Sequence, residues 1–344
     1  MNSIDINKRI SILDYLRGTA LIGIILVNVL PLLLVTTPSP HTLDAAYQRF
    51  LFLFIEGRFY TIFSFLFGVG FYLFLSRAKE KGKNGTALFL RRILAMFLMG
   101  VVHFTFQPGE ALTVYSVFGL FVLPFYKVKK EINLVIGIAF LVLFSLISAK
   151  LLLVFPLILL GLTAGQYRVF ENLPNQKQKL IPMTVILFVL SGIALFYQWK
   201  NVPGNPFDFM NLGGMDDRNI EQSNTFKNIG IMVGPIVSAF YISLICLLLH
   251  WSFFQKILLP LRNYGRMALT NYVLQTAFIL LAGQLFNLYG NISYVQSLYL
   301  CLSILVIQLI FSSLWLRFFQ FGPLEWIWRM VTYLKIQPIR KEKS

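Results

Sequence analysis

Ten stretches of this chain stay apolar for about twenty residues at a time, and a fold built in water has no place for them. They run over 12–36, 50–76, 88–107, 110–127, 132–149, 151–168, 180–199, 228–250, 267–288 and 296–319. A helix rises about 1.5 Å per residue, so about 20 residues cross a hydrocarbon core of about 30 Å with every backbone group bonded within the segment. The runs are continuous rather than alternating, which disfavours a β-barrel. A soluble fold of 344 residues would need a well-charged surface, and only 13% of the residues are charged against 57% apolar. The fold class is therefore all-α, a polytopic integral membrane protein of about ten transmembrane helices. It reads as a single transmembrane domain over 1–344, with 200–227 as the largest extracytoplasmic loop. The first apolar run is too long for a cleavable signal peptide, and no small-residue cleavage site follows it.

Ten spans return the chain to the side on which it starts. The 30 Lys and Arg residues divide unevenly between the two sides. One side takes 24 of them, from Lys8, Arg9 and Arg17 at the start to Arg340, Lys341 and Lys343 at the end. The other side has only Arg49, Arg58, Lys150, Lys200, Arg218 and Lys227. By the positive-inside rule both termini are cytoplasmic. The net charge of +16 is then a matter of topology, and membrane lipids rather than nucleic acid are the expected partner. After Gly322-Pro323, Trp326, Trp328 and Tyr333 stand beside Arg329 and Lys335, the pattern of a C-terminal interfacial helix. Cys246 and Cys301 fall inside apolar runs and form no disulfide framework.

Polar groups inside spans are costly and mark function or interhelical bonding. On the first span Arg17, Leu21, Ile24 and Asn28 share one face, a stripe of about 16 Å, with Asp14 placed to pair with Arg17. The third span enters at Arg91-Arg92 and reaches His103, and Gln107 and Glu110 flank the outer turn. His41, Asp44, Glu56 and Arg58 also lie toward the outer side. A histidine beside a carboxylate suits general-base or nucleophilic work, while the bland reading is a hydrogen-bonding strut. The ninth span opens GRMALTNYVLQ, with Arg266 and Thr270 on one face and Asn271 and Gln275 on the next. Gln308 and Ser312 of the tenth read as interhelical glue. Three scattered histidines make no metal site, and there is no P-loop, dinucleotide-binding glycine pattern or HExxH.

Five ordered motifs, LDYLRGTALIGIILVN, EGRFYTIFSFLFGVGF, RRILAMFLMGVVH, GRMALTNYVLQ and FGPLEWIWRMVTY, resemble the YeiB-like bacterial membrane proteins. The first three fall in a motif region at about 8–127, and the last two resemble that family's C-terminal domain of unknown function 418, at about 150–340. Glu110 stands where that family typically has Asp. The resemblance implies a multi-pass protein of the bacterial plasma membrane. More distantly, LDYLRG…VN is similar to the first transmembrane helix of heparan-α-glucosaminide N-acetyltransferase and related transmembrane acyltransferases. This resemblance implies passage of an acyl group from cytoplasmic acyl-CoA, acetyl-CoA for example, to an acceptor on the far side. It also points to His41, which follows the matching asparagine.

On that basis His103, Glu110 and His41 are the candidate catalytic residues. Arg17, Arg91, Arg92 and Arg266 suit CoA phosphates at the cytoplasmic mouth, with Asn28 along the path of the donor arm. Arg58, Tyr115 and Asn271 are candidate substrate contacts. No tightly bound cofactor is expected. A transporter of a small solute or lipid, with His103 and Glu110 as proton-relay groups, and a non-catalytic membrane component are the rival readings.

Overall fold

The computed structural model describes residues 10–208 and 217–341. Lys8, Arg9 and Lys343, which entered the charge count, lie outside the described residues. In chain order the helices are α1 (Ser11–Leu32), α2 (Leu43–Phe50), α3 (Phe59–Glu80), α4 (Gly85–Phe104), α5 (Ala111–Val122), α6 (Lys130–Leu146), α7 (Val154–Gln166) and α8 (Val169–Asn172). They continue as α9 (Lys177–Lys200), α10 (Asp217–Leu248), α11 (Ser252–Ile257), α12 (Leu259–Arg266), α13 (Ala268–Leu285), α14 (Tyr294–Phe318) and α15 (Pro323–Tyr333). Among the described residues there are no strands, only an isolated bridge between Phe319 and Arg340.

The protein is an all-α polytopic membrane protein. Among the described residues seven segments are long and apolar enough to cross a bilayer: α1, the Leu43–Glu80 run, α4, α9, α10, α13 and α14. Residues 111–127 and α7 are shorter apolar helices. The expected second span, 50–76, is divided. Gly57 adopts φ +79, a left-handed conformation natural to glycine, so the helix of Leu51–Ile55 stops and α3 starts afresh at Phe59. The outer loop is shorter than 200–227, since α10 already begins at Asp217.

Two backbone-close crossings hold the centre. A Cβ on Gly68 would lie 2.0 Å from Ile158 O, and one on Gly161 2.0 Å from Phe65 O, so α3 and α7 meet glycine to backbone. A Cβ on Gly265 would lie 1.9 Å from Asp14 O, and one on Gly18 2.2 Å from Leu261 O, which sets α12 against the start of α1. Around this centre, large apolar side chains stand exposed at helical spacing, including Leu94, Leu98 and Val102 on α4 and Val306, Ile310 and Leu314 on α14. Such stripes are the surface that a helix offers to lipid.

Helix α15 docks on the face where α1, α4 and α13 begin. Its Glu325 accepts hydrogen bonds from the Leu269 N–H (2.7 Å), the Thr270 N–H (3.2 Å) and the Thr270 hydroxyl (2.6 Å). It thereby caps α13, whose own N-cap residue, Met267, supplies no side-chain bond. Burial raises the Glu325 carboxyl above its ordinary value, and the donors from Thr270 and Leu269 offset only part of that. Trp328 Nε1–H donates to Arg92 O at 2.8 Å. On the opposite face, Thr36 N–H donates to Ile292 O and Gly290 N–H to Leu33 O, joining the turns at 33–42 and 286–293.

Candidate functional site

A cavity of about 390 Å³ lies beside the 105–110 and 147–153 turns. Its apolar wall includes Ile24, Val27, Val114 and Val154, and its polar groups include Asn28, Glu56, Tyr60, Glu110, Tyr115 and Lys150. Asn28 comes from α1, four residues beyond Ile24 on the same face, and among the described residues its side chain makes no hydrogen bond.

Glu110 is the N-cap of α5. Its Oε1 accepts from the Leu112 N–H at 2.5 Å, and its Oε2 from the Thr113 N–H and hydroxyl, both at 2.7 Å. The carboxylate is thus fixed in place with its charge met by three donors. Behind it stands His103, 4% exposed, its Nδ1 3.5 Å from Glu110 Oε1. On the far edge of the ring, Nε2 lies 2.9 Å from Thr276 Oγ1. Thr276 donates to Gln107 Oε1 at 2.5 Å, so the His103 Nε2 proton points at Thr276, and Nδ1 is left facing Glu110 without a hydrogen bond. Tyr272 packs edge-on against the imidazole, ring centres 5.0 Å apart. The row runs carboxylate, imidazole, hydroxyl, amide, and only its carboxylate end reaches the cavity wall. The order is the reverse of a histidine presented to substrate with a carboxylate behind it. Such a row can take a proton at Glu110 and hold it at His103.

Tyr115 borders the same cavity, and its hydroxyl accepts from Ser64 at 3.2 Å. Lys150 Nζ pairs with Glu56 Oε1 at 2.6 Å, and the Gly57 N–H donates to Glu56 Oε2 at 2.7 Å. Arg58 is 1% exposed and borders a second chamber of about 250 Å³, which shares Glu56, Gly57 and Lys150 with the first.

The other candidates stand apart from this cavity. Arg17 is at the far end of α1, its Nη1 3.1 Å from Asp14 Oδ1, and fully buried Leu21 lies between it and Asn28. Arg92 is held by the Trp328 and Phe74 rings, 3.6 and 4.9 Å from their centres, with Arg17 and Arg329 near enough for their charges to act on it. Arg91 is exposed, and Arg266 donates to Gln320 O at 3.3 Å. His41 is exposed in the 33–42 turn with φ 62 and borders neither chamber. Asn271 donates to Tyr264 O and Ser312 Oγ, each at 2.9 Å, and Gln308 donates to its backbone oxygen at 3.0 Å. It is part of the interhelical glue that the tenth span suggested, away from either chamber. Among the described residues no group of three metal-ligating side chains occurs.

Thr276, Lys150 and Tyr60 were not singled out as site residues by the sequence. Thr276 is a lone hydroxyl in an apolar run, and such a residue normally bonds its own helix. Lys150 reads only as one of the few basic residues of the outer side. Only the packing of α13 against the 105–110 turn, and of the 147–153 turn against Glu56, gives them these partners.

The sequence matches two families. Residues 164–335 match the family described as protein of unknown function (DUF418), and residues 9–195 match heparan-alpha-glucosaminide N-acetyltransferase, catalytic. An uncharacterized 39.9 kDa protein in the amylase 3′ region of Bacillus acidopullulyticus is 55% identical over 100% of this chain and 99% of its own length. YxaH of Bacillus subtilis is 27% identical over 98% of this chain and 97% of its own, and YeiB of Escherichia coli 24% over 96% and 98%. No solved structure matches the chain significantly.

Proposed function

The chain belongs to the DUF418 family of YeiB-like proteins, and from that premise we propose that it is a transmembrane acyltransferase of the bacterial plasma membrane. The donor is acyl-CoA from the cytoplasm, where both termini lie by the basic bias of their loops. The acceptor is a hydroxyl or amine on the outer side. The observation that carries this reading is the meeting of Asn28, Glu110 and Tyr115 on one cavity, with His103 behind Glu110. All four lie within the 9–195 segment that matches the acetyltransferase family.

Glu110 takes the acceptor proton and passes it to His103 Nδ1. The acceptor oxygen or nitrogen attacks the thioester carbonyl as that proton leaves. Asn28, whose amide is uncommitted, donates to the oxygen as it gains charge. The C–S bond then breaks, and the thiolate leaves with the proton returned from His103 through Glu110. Arg17 and Arg92 lie together on the terminal face, with Arg91 and Arg266 on the same face, and suit the donor phosphates. Leu21 must turn aside for the donor arm to pass from Arg17 to Asn28, about 16 Å along α1.

The test is purified protein in proteoliposomes with acetyl-CoA labelled on the acetyl group and supplied on one side. Label appearing on an acceptor or in released acetate, and lost in Asn28→Ala, is the expected result. No binding or turnover of the donor by the wild-type protein would overturn the proposal. Solute flux without donor would favour a transporter instead.

A further inference from the structure

The second chamber holds an unusual charge. Arg58 is 1% exposed, yet none of its hydrogen bonds goes to a carboxylate. Nη1 donates to Glu56 O at 2.6 Å and to Gly230 O at 3.0 Å, and Nη2 donates to Gln198 Oε1 at 2.5 Å. All three acceptors are neutral amide oxygens. Nε is buried and has no partner at all. The nearest carboxylate in sequence, Glu56, is committed to Lys150 and to the Gly57 N–H. A guanidinium carries five donors, so Nε–H and one Nη2–H remain, on a group that already lines about 250 Å³ of space. Glu56 is near enough for its charge to act on Arg58 but serves Lys150 as well, and a buried charge short of a full partner is costly until a counter-charge is supplied. Lys150 and Lys227 also line the chamber, Lys150 paired with Glu56 and Lys227 close enough to Asp208 for their charges to act on each other.

The neighbouring cavity sets the rest of the ligand. It shares Glu56, Gly57 and Lys150 with the Arg58 chamber, so the two adjoin along the wall that these residues form. Beyond that wall the lining turns apolar, with Ile24, Val27, Val114 and Val154.

We propose that the Arg58 chamber binds the oxyanion headgroup, a phosphate, of an anionic amphiphile whose apolar part lies in the cavity beside Asn28. Arg58 contacts the phosphate through its uncommitted donors, a charge-assisted bond that a neutral headgroup cannot reproduce. The binding stands without any acyl transfer. That the amphiphile is also the acceptor rests on the function proposed above. Its hydroxyl or amine would then reach Glu110 while its phosphate stays at Arg58.

The experiment is retention of short-chain phosphatidylglycerol by the full-length protein in neutral detergent, read by native mass spectrometry, with diacylglycerol of the same chains, which lacks the phosphate, as comparison and no donor present. Two variants are compared with the wild type. Arg58→Gln removes the charge. Asn228→Asp puts a carboxylate into the same wall from an exposed position, so folding does not depend on it. Both variants are expected to weaken phosphatidylglycerol retention by about tenfold or more, the loss of one charge-assisted bond, and to leave diacylglycerol unchanged. Lipid held by the basic terminal face is common to all three proteins and cancels. A parallel titration with inorganic phosphate identifies the source. Competition at equal concentration means a free phosphate suffices, and no competition means that the lipid tail is required. Equal retention of the two lipids by the wild type, or wild-type retention by a folded Asn228→Asp protein, overturns the proposal. Retention without acetyl transfer would overturn only the acceptor role.

Discussion

His103 and Glu110 stand 3.5 Å apart in a buried setting, and substituting each alone and both together asks whether they act as one unit. At an effective dielectric of about 20, opposite unit charges at that separation attract by about 5 kcal/mol. Three donors already meet the Glu110 charge, so about half of that remains for an imidazolium formed during reaction. Each 1.36 kcal/mol is about tenfold in rate, so His103→Ala is expected to slow single-turnover acetyl transfer by about 10²-fold or more. Glu110→Gln keeps the side-chain volume and the bond from the Leu112 N–H, and the Thr113 hydroxyl can rotate to accept from the new amide, while the bond from the Thr113 N–H and the charge are lost. It should slow transfer by a similar factor. The double variant should be about as slow as either single one, because removing one member already disables the unit. The fold should tolerate these changes, since Thr276 keeps its bond to Gln107 and the loss at His103 is about one hydrogen bond plus a small void. Wild-type rates in folded His103→Ala, or single effects that multiply in the double variant, would refute the relay.

Three other outcomes are expected. Gly265→Ala places a Cβ 1.9 Å from Asp14 O and 2.6 Å from Gly18 N, so α12 and α1 must separate by more than an ångström. A loss of about 3 kcal/mol or more should appear in detergent melting curves, and an unchanged midpoint would contradict the crossing. Glu325, with its carboxyl raised by burial, favours the protonated folded state. Its contribution is therefore complete below the ordinary value of 4.5 and fades as pH rises through the folded value. The wild-type melting point should drop across that window relative to Glu325→Gln, and parallel profiles would argue against it. Ser39→Cys, in the exposed 33–42 turn, should react with an impermeant thiol reagent in intact cells, because Cys246 and Cys301 are buried and silent. Labelling only after lysis would invert the proposed orientation.

The sequence by itself determined that this is a helical membrane protein. Long uncharged runs have no other stable arrangement, because backbone groups in lipid must bond within their own segment. It also drew attention to His103 and Glu110, since ionisable groups next to apolar runs are conspicuous, and to Gln308 and Ser312 as interhelical contacts. Period and spacing assign a residue to a face of its own helix, but they carry no information about which other helix meets that face. Only the tertiary structure decided that Glu110 rather than His103 borders the cavity, that fully buried Leu21 separates Arg17 from Asn28, and that Arg58 is enclosed beside a chamber with its Nε unbonded. His41 and Asn271 show the same limit in reverse. Both looked functional by residue type, yet one ends in an exposed left-handed turn and the other in the bonds between α13 and α14. The physical reason is that a polar side chain in lipid must find a partner, and the packing of distant segments chooses whether that partner is another helix or a ligand.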